Sequence, residues 1–190
     1  MGKFNLLNKY SRLGLIYILF CGSIIDLFAL DYKDSVYYER IKTVQLYLDD
    51  GSEQAVLNSA INTLDFRNNL VLEFDELSDQ AKYYYAKIYH CNMDWTKSSL
   101  ADAEFMFEYN EFLIQSYDFS FSTKQNFTHY RFELPKVKVS GNYLVLVYPS
   151  DDISSPILSM RFMIIENIVS IRPEFKISEM VGRRNEFQQT

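Results

Sequence analysis

Cysteine is scarce in this chain of 190 residues: only Cys21 and Cys91 are present, which excludes the multiple disulfides that staple many small secreted folds. Its six glycines never gather into a phosphate-cradling loop, and no nucleophile elbow occurs. No basic stripe interleaved with aromatics is present and acidic residues outnumber basic ones, 25 to 19. A polyphosphate backbone is therefore an unfavourable partner. The apolar runs Leu13 to Cys21 and Ile24 to Leu30, separated by Gly22-Ser23 and broken again at Asp26, fall short of the roughly 20 residues of a membrane-spanning helix. Internal repeats and low-complexity tracts are absent, and helical periodicity is rare beyond Tyr32.

What is present begins with Lys3, Lys9 and Arg12 ahead of the first apolar run, the layout of a secretory signal peptide over residues 1–29. Cleavage after Ala29 places Leu27 at position −3 and Ala29 at −1; this reading is preferred to an uncleaved anchor. The competing lipoprotein signal centred on Cys21 suffers from the bulk of Phe20 before it. Removing Lys3, Lys9, Arg12 and Asp26 leaves 16 basic and 24 acidic residues, a net charge of −8. Cys91 is then the only thiol, so a domain of about 160 residues must stand on its apolar core.

Short runs of Val, Ile, Tyr and Phe recur between turn-forming clusters, and this spacing predicts an all-β sandwich or barrel over residues 30–167. About eight strands are expected. Ile41 to Leu48 alternates Ile41, Thr43, Gln45 and Tyr47 against Val44, Leu46 and Leu48, and ends at the turn Asp49-Asp50-Gly51. Ile61 to Leu64 and Leu70 to Leu77 read as a hairpin about Asn68-Asn69. Lys82 to Asn92, with Tyr83, Tyr84, Tyr85, Ile88 and Tyr89, reads as a central strand. Ser98 to Tyr109 is irregular with one helical turn. Phe112 to Phe121, His129 to Leu134, Tyr143 to Tyr148 and Ile157 to Glu166 complete the set, and residues 168–190 read as a linker or the start of a second, truncated domain.

The densest group of reactive side chains is His90-Cys91-Asn92-Met93-Asp94-Trp95, with His129 elsewhere. Neighbours on a strand point to opposite faces, so His90 and Cys91 do not converge on one metal ion or form a nucleophile pair without a bulge. Asp75-Glu76 with Asp79 is a conceivable carboxylate pair, while Asp49-Asp50 and Asp151-Asp152 read first as turns. Asn126-Phe127-Thr128 matches a glycosylation pattern of low specificity. No cofactor, metal or catalytic residue is assigned. The positive feature is aromatic: 15 Tyr and 15 Phe with one Trp, more rings than a single core requires and suited to a recognition surface.

The ordered series Ile41-Lys42-Thr43-Val44, Tyr83-Tyr84-Tyr85, His90-Cys91-Asn92-Met93-Asp94-Trp95, Ser98-Ser99-Leu100, Phe127-Thr128-His129-Tyr130 and Ser140-Gly141-Asn142-Tyr143 resembles the N-terminal domain of the type IX secretion system plug protein. The resemblance implies an immunoglobulin-like antiparallel β-sandwich of about seven to nine strands, without catalytic residues. It also implies residence in the periplasm at the inner side of the outer membrane, closing the mouth of the outer-membrane type IX translocon barrel, with membrane association only through that partner. Tyr84, Tyr85, His90, Cys91, Asp94, Trp95, His129, Tyr130, Gly141 and Tyr143 are the motif positions, expected to be structural. The resemblance also implies a further domain, so a chain ending at Thr190 reads as the front of a longer protein or a truncated copy. A carbohydrate-binding or adhesion module is the alternative, and an enzyme built on Cys91 or on Asp75 and Glu76 is a third class.

Overall fold

Strand pairing follows the alternation of apolar and polar residues closely enough to build two antiparallel sheets facing one core. The computed structural model describes residues 32–150, 152–177 and 187–189; the expected signal peptide and Asp151 lie outside them. The strands are β1 (Ser35–Val36), β2 (Ile41–Asp49), β3 (Ile61–Thr63), β4 (Asn69–Glu76), β5 (Tyr84–Cys91), β6 (Phe112–Ile114), β7 (Ser116–Phe119), β8 (Thr128–Glu133), β9 (Gly141–Pro149), β10 (Leu158–Ile165), β11 (Phe175–Ile177) and β12 (Phe187–Gln189). One sheet runs β1-β10-β9-β5-β6, with β3 also on β10; the other runs β2-β4-β8-β7, and β11 and β12 form a separate pair. The only α-helix among the described residues is the single turn α1, Asp102–Phe105, where the Glu104 carboxylate accepts a bond from the Ala101 N–H at 2.6 Å.

The order β2-β4-β8-β7 facing β6-β5-β9-β10 is that of an immunoglobulin-like sandwich, strands A, B, E and D on one side and C′, C, F and G on the other. The parallel pairing of β3 with β10, Ile61 opposite Met163, moves the first strand's continuation from one sheet to the other. Tyr143, at the start of β9, donates its hydroxyl to the Val139 carbonyl at 2.6 Å, the tyrosine corner of this fold class. In place of an inter-sheet disulfide the core holds aromatic rings. Phe74 stacks on Tyr130 at 5.0 Å, Tyr84 meets Tyr130 edge-on at 5.3 Å, and Tyr143 stacks on Phe162 at 5.2 Å. Each such pair adds about 0.5–1.5 kcal/mol beyond area burial.

Three local expectations change. Ile61–Thr63 and β4 are not a hairpin: Ile61–Thr63 pairs with β10, and β4 lies between β2 and β8. The buried Asn62 amide bonds the Asn68 carbonyl at 2.8 Å, holding a connection whose polar residues resemble a tight turn. In β2, Thr43 and Val44 oppose a single residue of β4 and Thr43 has φ +50°. This bulge breaks the simple alternation. Ile41 therefore faces the main core with Leu46, whereas Tyr47 packs with Val71 and Ala55 in a satellite cluster. The expected strand Phe112 to Phe121 divides at Gln115. Ile114 pairs with Tyr84 in one sheet, whereas Tyr117 pairs with Tyr130 in the other. The adjacent polar residues Gln115 and Ser116 shift the apolar phase from Phe112 and Ile114 to Tyr117 and Phe119 at the crossing.

Candidate functional site

The expected site residues divide between the interior and a turn. Tyr84, Tyr130 and Tyr143 are buried in the main core; Tyr85 points away from it and stacks on Tyr148 at 6.3 Å. Burial is the leading cause that raises the phenol pKa values of Tyr84, Tyr130 and Tyr143, so these hydroxyls stay neutral. His90 lies between the sheets, edge-on to Tyr143 at 5.0 Å and 6.0 Å from Phe105. Its pKa is lowered by burial, against an opposing hydrogen bond to the Ser140 backbone. Gly141 is at φ +150°, and an added Cβ would lie 2.6 Å from His90 Nε2.

Cys91, the next residue, is buried on the opposite face, and burial pushes its thiol up to about 11, Arg161 opposing. His129 belongs to the other sheet, where Nδ1 bonds Asp75 Oδ1 at 2.8 Å. The two histidines and the cysteine are thus not brought together. Asp75 and Glu76 also separate: Asp75 faces out to His129, while Glu76 is fully buried and paired with Lys82. Among the described residues no group of three or more His, Cys, Asp or Glu is arranged to hold a metal.

Asp94 and Trp95 build the turn after β5. Asp94 Oδ1 accepts bonds from the Thr96 N–H at 3.1 Å and hydroxyl at 2.7 Å, which lower its pKa. The Trp95 N–H bonds the Asn92 carbonyl at 3.0 Å, its φ is +65°, and Arg161 stacks 4.4 Å from its ring centroid. The turn sends the chain back along β5, where Ser98 N–H bonds the His90 carbonyl. The buried Asn110 amide completes that edge, accepting from the Ile88 N–H at 2.9 Å and donating to the Ile88 carbonyl at 2.7 Å. The motif is a device for closing a sheet edge. The turn readings at Asp49 and Asp152 hold as well, through bonds to the Gly51 and Ser154 N–H groups.

The exposed rings that sequence reasoning missed come from residues 106–121, the stretch that crosses between the sheets at β6 and β7. Phe107, Tyr109, Tyr117, Phe119 and Phe121 are all exposed there, Phe121 to 94%. An open cleft of about 510 Å³, lined by Met106, Phe112 and Leu134 together with Glu108, Glu133 and Lys136, adjoins Phe107, whereas Tyr117 and Phe119 lie toward the other end of β8, opposite Tyr130 and Thr128. The signal in the sequence is the regular spacing Tyr117, Phe119, Phe121 against Ser116, Asp118, Ser120, which reads equally as a core strand until its sheet neighbours are known. Of these rings Tyr117 and Phe119 are neighbours, 5.6 Å apart, and exposed paired rings suit a recognition surface.

The family model described as "Type 9 secretion system plug protein 1st domain" matches residues 41–166. A crystal structure of a hypothetical protein from Parabacteroides merdae ATCC 43184 is similar, with a TM-score of 0.66 and 28% identity over 72% of this chain. The match spans 34% of that protein's length. A search of curated proteins found no match.

Proposed function

The chain belongs to the family of type 9 secretion system plug proteins through their first domain, and we propose that it is a non-catalytic periplasmic component that binds and closes the periplasmic mouth of the outer-membrane translocon barrel. The family match over residues 41–166 carries this reading. The supporting physical observation is the exposed rings, Phe107 beside the open cleft and Tyr117 with Phe119 on β7, since a domain that seals a pore needs apolar contact groups with a polar border. A contact of about 1,000 Å² or more is the size a stable seal requires. The protein reaches the periplasm by export, and its membrane association is through the barrel.

A carbohydrate platform would offer coplanar rings. Tyr117 and Phe119 meet at 74°, which favours a protein partner over a flat sugar face.

The test is outer-membrane permeability in the source bacterium. Deleting the gene should let a large hydrophilic solute, vancomycin, enter through the vacant barrel, and restoring the gene should reverse it. Unchanged entry of vancomycin in the deletion strain, with the barrel present at normal level, would overturn the reading.

A further inference from the structure

Short strands cover two of the four sheet flanks, where β1, β3 and β6 form the margins, and a bulge distorts a third. The outer edge of β10 carries β1 and β3. The edge of β5 is closed by β6, the Asn110 amide and the returning chain at Ser98 and Thr96. At the far side of the other sheet, β2 is bent by the bulge at Thr43 and Val44, a feature that discourages further pairing. The fourth edge, β7, has none of these. It holds no Pro, Lys or bulge, all four of its residues are exposed, and its described pairing is with β8 alone.

The direction of its free backbone groups follows from the ladder. The Ser120 N–H bonds the Phe127 carbonyl at 2.9 Å, and that pair continues the register Phe119 opposite Thr128. Hydrogen-bonded pairs alternate in an antiparallel ladder, so Ser120, Asp118 and Ser116 bond across to β8. Tyr117 and Phe119 direct their N–H and C=O groups outward. These two residues also carry the exposed rings, 5.6 Å apart. On the other face Asp118 opposes His129, whose ring nitrogen is already bonded to Asp75.

We propose that β7 accepts an extended segment of a partner protein as an added strand, with apolar residues of that segment on the Tyr117 and Phe119 face and a basic residue on the Asp118 face. Main-chain bonds to Tyr117 and Phe119 provide the attachment and alternate side chains the selection, as in other strand-addition complexes. Charge chooses the occupant. A second copy of this strand, paired so that Tyr117 meets Phe119, would set Asp118 directly against Asp118, a repulsive pair. A segment with Lys or Arg at alternate positions meets Asp118 with opposite charge. This inference concerns β7 alone and does not depend on the barrel being the partner.

The probe is a labelled heptapeptide alternating Lys and Val, with its Glu and Val counterpart as control, added to the full chain while amide hydrogen exchange is followed. The Lys peptide should slow exchange at Tyr117 and Phe119 at least fivefold and leave the amides of β5 and β9 unchanged. Phe119→Pro removes an outward N–H that β8 does not use and should abolish this protection. Asp118→Lys, which keeps the strand's pairing, should transfer it to the Glu peptide. Absence of protection at Tyr117 and Phe119, equal protection by both peptides, or protection that survives Phe119→Pro would overturn the proposal. Protection that grows with protein concentration in the absence of peptide would also overturn it, because the occupant would be a second copy.

Discussion

The imidazole of His90 occupies the space above Gly141 so closely that a single added Cβ would lie 2.6 Å from Nε2. This contact joins β5 to the start of β9 next to the tyrosine corner, so the His of one motif and the Gly of another form one packing unit. Gly141→Ala is expected to destabilise the domain by about 1–3 kcal/mol, combining the overpacking cost with an unfavourable φ. His90→Ala in the same chain should recover the steric part, giving a coupling of about 1 kcal/mol in a double-mutant cycle measured by urea unfolding. Strict additivity of the two changes would contradict the contact.

His90 also makes stability depend on pH. Its pKa is lowered in the folded chain, chiefly by burial, so below the unfolded value of about 6.5 the unfolded chain binds the proton first. Stability contributed by the neutral ring is complete above that pH and declines as pH falls through it. Asp49, Asp94 and Asp152, whose pKa values are lowered by hydrogen bonds, act at lower pH: their contribution is present above the usual carboxylate range and is lost as pH falls below it. Urea midpoints between pH 7 and 5 should therefore drop less for His90→Asn than for the parent chain. Equal slopes would remove His90 from the account.

Tyr143→Phe deletes the hydroxyl bonded to Val139 and leaves the ring stacked on Phe162. The expected loss is about 1 kcal/mol, with the Val139 carbonyl left short of a partner. Thermal unfolding measures it, and an unchanged midpoint would show that the corner hydroxyl contributes nothing.

Cys91 is expected to be inert. Its thiol is buried and pushed up to about 11, so little thiolate exists near neutral pH. Labelling by iodoacetamide at pH 8 should be at least a hundredfold slower in the folded chain than in denaturant. Equal rates would revive the nucleophile reading that the positions of His90 and His129 disfavour.

Much of the sandwich is legible in the sequence because period-two patterns at Leu70 to Leu77, His129 to Leu134 and Ile157 to Glu166 dictate which side chains enter the core. Partnership between strands is less legible. Ile61–Thr63 pairs with a strand about a hundred residues later, and the phase shift at Gln115-Ser116 does not by itself say that the chain changes sheets. The same limitation hid the exposed rings of β7. Tyr117 and Phe119 have the spacing of core residues yet are exposed, on an edge strand whose described pairing is with β8 alone. The motif around Asp94 and Trp95 drew attention by its chemistry, yet its groups are used up in closing the edge of β5.

The most direct test of the account is recovery of the translocon barrel from gently solubilised membranes on a tagged full-length protein containing this domain. The parent form should retain the barrel, and a form carrying Phe107→Asp, Tyr109→Asp and Phe119→Asp, all at exposed positions, should retain at least tenfold less while its unfolding midpoint is unchanged. Failure of the parent form to recover the barrel, or equal recovery by both forms, would contradict a plug that seals through these exposed rings.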